Sequence, residues 1–395
     1  MGAVLRLPGV LPLFLCGCIA RLPMGALSLL AILRTHEITG SFARGGVVAG
    51  AYTLALGFSN PALARLVDRT GQTRVLRIGA LVAASGIITF ALLPAGAPLG
   101  AMVAAVAIAG AAQPPVGACM RALWPELATT ADQRHAAYAL EGVVMEVIYI
   151  SGPVLIVGAI GSWSLTVALL ACAGTILAGD VAFSAQPISR RWRPKPHAER
   201  HLAGALRGRG IRVLIGVFAL CGLAVGAVEV AVPALLEPLD ESGLTGPLLG
   251  LWGVGSLVGG LVVAHVGAPT DAPRRLAWLL AAWGVAHAAL ALATGAFTLA
   301  VLLTLAGAAI APTIVCANGM LDGLAPPGTI TEAFTWTTAG MTAGVAVGAA
   351  VAGAIVDSAS PSLAFALLGG GGVFAAVLVR ASAPGTLRPA LAVAR

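Results

Sequence analysis

Apolar residues run along this chain in long continuous stretches rather than in alternation. Twelve such stretches, roughly 9–33, 43–64, 75–94, 98–121, 137–161, 164–186, 211–236, 245–267, 276–294, 297–321, 331–356 and 361–380, carry very little charge. Most have the length of about 20 residues that takes a helix across a bilayer core. A backbone in lipid must satisfy its own polar groups, which leaves helices or a closed barrel. Barrel strands would alternate polar and apolar positions, and these stretches do not. The pattern predicts an all-α membrane protein with twelve transmembrane helices.

Composition agrees. The chain has 395 residues, 58% of them hydrophobic and 10% charged, with a mean hydropathy of +0.96. A soluble domain would carry about 25% charged residues. The first stretch begins like a secretory signal, with Arg6 before an apolar core, but it continues past Arg21 without a small-x-small cleavage site and is read as a retained first helix. All six cysteines, from Cys16 to Cys316, fall inside apolar stretches without zinc-ligand spacing. They read as small packing residues rather than a disulfide frame.

The net charge of +7 raises the question of nucleic acid. Its distribution answers it. Twenty of the 23 basic residues lie with the termini and the loops after even-numbered stretches, and only Arg34 and Arg44 lie on the opposite face. The positive-inside rule then makes both termini cytoplasmic. Basic charge here is a topology signal, so the expected surroundings are a lipid bilayer and no nucleic acid.

The longest connection is basic and proline-containing and divides the chain into a six-helix bundle at 1–186, a cytoplasmic linker at 187–210 and a second bundle at 211–395. The halves carry weak echoes of each other. Ala137-Tyr138-Ala139-Leu140 is matched by Ala333-Phe334-Thr335-Trp336 at an offset of 196, and Val157-Gly158-Ala159-Ile160 by Ala352-Gly353-Ala354-Ile355 at 195. The basic turn at Arg74 returns as Arg274-Arg275. Two parallel repeats of this kind are a transporter architecture, with substrate bound between them near mid-membrane.

Between the second and third stretches lies Arg65-Leu66-Val67-Asp68-Arg69-Thr70-Gly71-Gln72-Thr73-Arg74. This segment resembles the loop between helices two and three of the major facilitator superfamily, whose pattern is Gly-x-Leu-Ala-Asp-Arg-x-Gly followed by a basic pair. Ala64 stands for the first glycine; Leu66, Asp68, Arg69 and Gly71 match; Gln72 and Thr73 displace the basic pair and leave Arg74. Ser151-Gly152-Pro153 is similar to part of the Gly-Pro motif of that superfamily's proton antiporters, without its doubled glycine. The resemblance implies two pseudo-symmetric six-helix bundles, alternating access, and proton-coupled efflux. It also implies a cytoplasmic gate at Asp68, Arg69, Gly71 and Arg74. Symport into the cell, or a receptor or scaffold with a carrier-like body, are the alternatives.

An ionisable side chain at membrane depth is costly and marks a functional candidate. Arg21, near the middle of the first stretch and followed by Pro23, is expected to face substrate or a carboxylate. Glu146, in stretch five, and Glu229, in stretch seven, are the proton-coupling candidates, because a carboxylate taken out of water binds protons more readily. Glu141, nearer the helix end, ranks below Glu146. Asp180 is expected to pair with a nearby arginine, His287 to be a buried hydrogen-bonding residue, and Glu332 to favour the positive start of its helix. Gln113, Asn318, Tyr149 and Trp336 offer polar handles and aromatic walls to a pocket. Gly340, Gly344 and Gly348, with Gly255 and Gly259, make smooth helix faces for close packing.

Enzyme classes find no support. The only lysine is Lys195 between prolines, so no P-loop is present, and no His-Glu-x-x-His occurs. The expectation is a monomeric carrier of a small-molecule substrate and protons in the cell membrane, with no cofactor and no metal.

Overall fold

The computed structural model describes the whole chain except residues 1, 129, 193–203, 267–270, 327–328, 383–385 and 388–395. The middle of the predicted linker and the tail arginines Arg388 and Arg395 therefore lie outside the described residues. Among those described, twelve helices are long and apolar enough to span a membrane. They are α1 (Val10–Thr39), α2 (Phe42–Thr70), α3 (Gln72–Ala91), α4 (Leu99–Trp124), α5 (Leu140–Gly161), α6 (Leu165–Ala185), α7 (Arg209–Leu239), α8 (Ser242–Val263), α9 (Ala272–Leu292), α10 (Ala296–Leu321), α11 (Glu332–Ser358) and α12 (Pro361–Ser382).

Every predicted stretch corresponds to one of these helices, and the differences lie at their ends. Helix α1 runs six residues further than the apolar pattern, because Arg34 and Glu37 pair across one turn at 2.6 Å and keep the polar end helical. Arg34 also donates to the carbonyls of Ala91 and Leu93, both at 3.1 Å, tying the end of α1 to that of α3. The predicted loop at 65–74 is mostly helix as well. Helix α2 continues to Thr70, and the connection shrinks to Gly71, whose φ of 88° suits glycine alone.

The chain divides into two compact units: Met1–Gly40 with Ala51–His197, and Ser41–Gly50 with Ala198–Arg395. The first has its own core around Leu13, Leu76, Trp124 and Phe183. The second is built around Leu214, Leu276, Leu280 and Trp283.

Features recur one repeat length apart. Helix α4 is interrupted after Ala112 by Gln113-Pro114-Pro115, and α10 after Gly307. Helices α6 and α12 each start on a serine cap, Ser164 accepting from the Val167 N–H at 3.3 Å and Ser360 from the Leu363 N–H at 3.2 Å.

In the second unit α7 and α11 pack through small residues. A Cβ on Gly344 would meet the Ala219 carbonyl, and one on Gly340 would come within 2.7 Å of the Ile215 carbonyl. Gly222 and Gly226 return the contact from α7 against Met341 and Val345. Gly255 and Gly259 of α8 pack in the same way on Thr304 and Ala308 of α10. Lipid gives helices no hydrophobic reason to associate, so this backbone-to-backbone approach is what holds them.

Candidate functional site

Helix α1 breaks where its arginine sits. Helical residues Val10–Arg21 give way to a 3₁₀ turn over Leu22–Gly25, with Pro23 near its start, before the helix resumes at Leu27. Proline at 23 withholds a backbone N–H from the ladder, so the kink follows from sequence. Facing it, α5 changes from α-helix to π-helix at Gly152. The two irregular segments meet through glycines: a Cβ on Gly25 would lie 2.7 Å from the Ile148 carbonyl, and one on Gly152 would lie 3.1 Å from Gly25. The Gly152-Pro153 motif thus marks a close crossing of α1 and α5.

Arg21 is only 2% exposed, and its guanidinium is fully engaged with protein. Nε donates to the Gly17 carbonyl at 2.9 Å; Nη1 donates to Glu141 Oε2 at 2.6 Å, and Nη2 to Oε1 at 3.4 Å. Met145 Sδ lies 3.9 Å from Nη1. This two-point fork joins α1 to α5 with both side chains withdrawn from solvent.

Glu141, ranked below Glu146 in the sequence, is the residue that meets Arg21. Five residues on, Glu146 points about 140° round the helix. It is partly exposed and makes no hydrogen bond or ion pair among the described residues. The distinction lies in helical phase relative to Arg21, which one chain cannot reveal before the crossing of α1 and α5 is known.

A second arginine borders the pair. A Cβ at Gly117 of α4 would stand 3.5 Å from Arg121 Nη1 and 3.8 Å from Arg21 Nη1, both ordinary contact distances, so the two guanidiniums flank the same turn of α4. Arg121 is exposed and has no ion-pair partner among the described residues. The sequence had placed Arg121 only among the topology-setting residues; its signal was a glycine one turn earlier on the same face.

The other candidates fall elsewhere. Glu229, partly buried on α7 in the second unit, lies four residues before Pro233, which cannot donate to its carbonyl. Asp180 does not form the expected ion pair with any described residue. It is buried on α6, and its Oδ1 has no hydrogen-bond partner among the described residues. Arg77, which reaches α6 one turn further along, is engaged by Ser184 Oγ at 3.1 Å instead.

His287 is buried as expected. Nδ1 lies 2.9 Å from the Trp283 carbonyl, and the ring stacks on Trp283 at 5.0 Å. Glu332 holds the start of α11 and also accepts from the Ala205 N–H at 3.0 Å and from Trp336 Nε1 at 3.2 Å. That bond gives Trp336 a defined structural partner. Gln113 is buried at the α4 interruption, with no partner for Oε1 among the described residues.

Of the residues expected to form a gate, Asp68, Arg69 and Arg74 are exposed. Asp68 accepts no hydrogen bond from the described residues. No group of three or more metal-ligating side chains occurs among the residues described.

A membrane bundle of twelve spans with internal repeats, broken helices and a buried intramembrane ion pair defines the class as a multi-pass carrier. The chain belongs to the Major Facilitator Superfamily, whose family model matches residues 13–282, about two thirds of its length. Among solved structures it is similar to the nucleoside transporter NupG, with a TM-score of 0.79 at 13% identity over 95% of this chain and 99% of that one. It is also similar to a peptide transporter POT in complex with sulfate, with a TM-score of 0.75 at 14% identity over 97% and 95% of the two chains. A POT family transporter in complex with 5-aminolevulinic acid gives a TM-score of 0.74 at 12% identity, with 97% of each chain covered. At such identities the likeness is one of fold. No curated protein matches the sequence.

Proposed function

We propose that this protein is a monomeric, proton-coupled secondary transporter that moves a small molecule outward across the cell membrane by alternating access. The observation that carries this reading is the Arg21–Glu141 fork inside the membrane span. A buried pair is a poor source of net stability, because desolvation offsets its Coulomb attraction. Its value here is as a switch. A proton on Glu141 removes the charge that holds Nη1 and Nη2, while the Gly17 carbonyl still positions Nε. The ionised carboxylate can instead take a cationic or strongly donating group of the substrate, which the protonated form cannot hold. Substrate binding at Glu141 therefore displaces the proton.

Competition between proton and substrate for one pair is the property an exchanger needs, and it supports efflux by antiport. The Gly152-Pro153 crossing supports the same direction, since it places the partial antiporter motif directly against the break in α1. Glu146 and Glu229 are assigned as further proton-binding carboxylates, and Asp68, Arg69, Gly71 and Arg74 as the gate on the cytoplasmic side. Sidedness follows the basic loops.

The test is counterflow in proteoliposomes of defined orientation, with an imposed pH gradient and a panel of radiolabelled metabolites and drugs. Accumulation against the substrate gradient only when the proton gradient points the opposite way supports antiport. Accumulation in the direction of the proton gradient replaces it with symport. Absence of any proton-linked flux across the panel removes the coupling.

A further inference from the structure

Away from the ion pair, the first unit holds an open cavity of about 830 Å³ where the start of α3 meets the short helix Pro187–Arg191. Four arginines line it: Arg69 from the end of α2, Arg74 and Arg77 from α3, and Arg190 from the short helix. No carboxylate is among its lining residues in the described part of the chain. Arg69, Arg74 and Arg77 have no carboxylate partner among the described residues, and like charges around one open space repel one another, an arrangement that an anion relieves.

The walls are built rather than incidental. Gln72 is buried; it donates from Nε2 to the Cys119 carbonyl at 3.1 Å and accepts the Ser189 hydroxyl at 2.8 Å, which pins the short helix to the first turn of α3. Arg77 is held by Nε, which donates to Ser184 Oγ at 3.1 Å on α6. Helix α3 begins at the cavity without a side-chain cap and without an acidic residue in its first turn. Its unpaired N–H groups add to the positive potential.

The face of α3 that starts in this cavity changes character with depth. Following Arg74 and Arg77 at helical spacing come Ile78, Leu81 and Val82, which are 56%, 61% and 39% exposed. Val181 of the adjacent α6 is 42% exposed. From Arg74 to Leu81 the rise is about 10 Å. One groove thus presents arginines at the level of the headgroups and bare aliphatic side chains in the hydrocarbon layer. A soluble anion would use only the first part; a phospholipid uses both.

We infer that this cavity and the α3–α6 groove beside it form a binding site for an anionic glycerophospholipid, the phosphate lying among Arg69, Arg74, Arg77 and Arg190 and an acyl chain along Ile78 and Leu81. The basic loops put the site in the cytoplasmic leaflet, where anionic headgroups meet juxtamembrane arginines. This inference is independent of proton coupling and of transport direction.

The experiment uses the full-length protein purified in a neutral detergent and titrated with phosphatidylglycerol, phosphatidylcholine, inorganic phosphate or glycerol 3-phosphate. Binding is followed by native mass spectrometry and by thermal shift. Phosphatidylglycerol is expected to bind saturably and raise the melting temperature, and phosphatidylcholine is expected to bind at least tenfold more weakly. Arg74→Gln and Arg190→Gln should each weaken phosphatidylglycerol about fivefold, which is ~1 kcal/mol per arginine, while Arg274→Gln, outside the cavity, should not. Leu81→Ser should weaken the lipid and leave phosphate unaffected. Equal binding of phosphatidylcholine, equal binding of inorganic phosphate, or indifference to both cavity substitutions would each overturn the assignment. Both arginines are exposed, so loss of fold is not expected; Arg74→Lys, retaining charge, should recover most of the affinity and checks that point.

Discussion

Arg21 and Glu141 face each other across 2.6 Å, joining a broken helix α1 to α5 within the membrane, with 3% and 6% of their side-chain surfaces exposed. Removing one partner strands a charge where water is scarce, at a cost of roughly 3–5 kcal/mol for a buried pair. Glu141→Leu and Arg21→Met should therefore each lower the unfolding temperature of the purified protein markedly. The double substitution should recover much of that loss, because it removes both desolvation penalties together. Transport should remain absent in all three. A double variant less stable than either single one would show that the pair supports the fold rather than switching.

Glu146 and Glu229 carry a different expectation. Both are only partly buried, so Glu146→Gln and Glu229→Gln should fold normally and change thermal stability by less than ~1 kcal/mol. If either carboxylate carries protons, substrate exchange without a gradient should survive while proton-driven accumulation falls at least tenfold. Unchanged driven transport in the double variant would remove both from the coupling role.

Asp357, on the last turn of α11, gives a third prediction. A carboxylate at the negative end of its own helix is disfavoured, so its presence there signals another partner. It accepts the Ser41 hydroxyl at 2.5 Å and the Phe42 and Ala43 N–H groups at 2.9 and 3.0 Å, capping the start of α2 within the second unit. Asp357→Ala should cost about 1–2 kcal/mol of stability, the upper range for a lost cap, and Asp357→Asn less. Thermal unfolding in detergent measures both, and no change in either would remove the capping role.

Small-residue seams make a fourth. Gly344 of α11 touches the Ala219 backbone, whereas a Cβ on Gly142 would meet nothing within 4 Å. Gly344→Val should force α7 and α11 apart at a cost of ~1–3 kcal/mol or more. Gly142→Ala should be neutral. Comparison of the two melting temperatures decides the matter, and equal values would contradict the packing account.

These residues show where sequence is informative. The twelve spans were readable because a bilayer demands the same length and apolarity of every one of them. Gly344 was readable because its contact depends on helical spacing alone. Arg21 was readable as a candidate because charge in lipid needs a reason. Its partner was not, because the choice between Glu141 and Glu146 is set by how α5 is rotated against α1. Asp357 passed unnoticed although its place at a helix C-terminus was a local signal. The nearness of Arg121 to Arg21 was not readable either, because it exists only once α1 and α4 are packed. The Thr130–Gln133 capping box also passed unnoticed, although its spacing is a local signal; it starts a helix at Ala131 that continues into α5.

The most direct test of the switch is proton release on substrate binding, measured with a pH-sensitive dye on detergent-purified protein in weak buffer. The substrate is first identified by the proteoliposome panel. Wild-type protein is predicted to release protons on binding substrate, and Glu141→Gln to bind substrate while releasing none. Equal release from the two proteins would contradict the assignment of proton exchange to the Arg21–Glu141 pair.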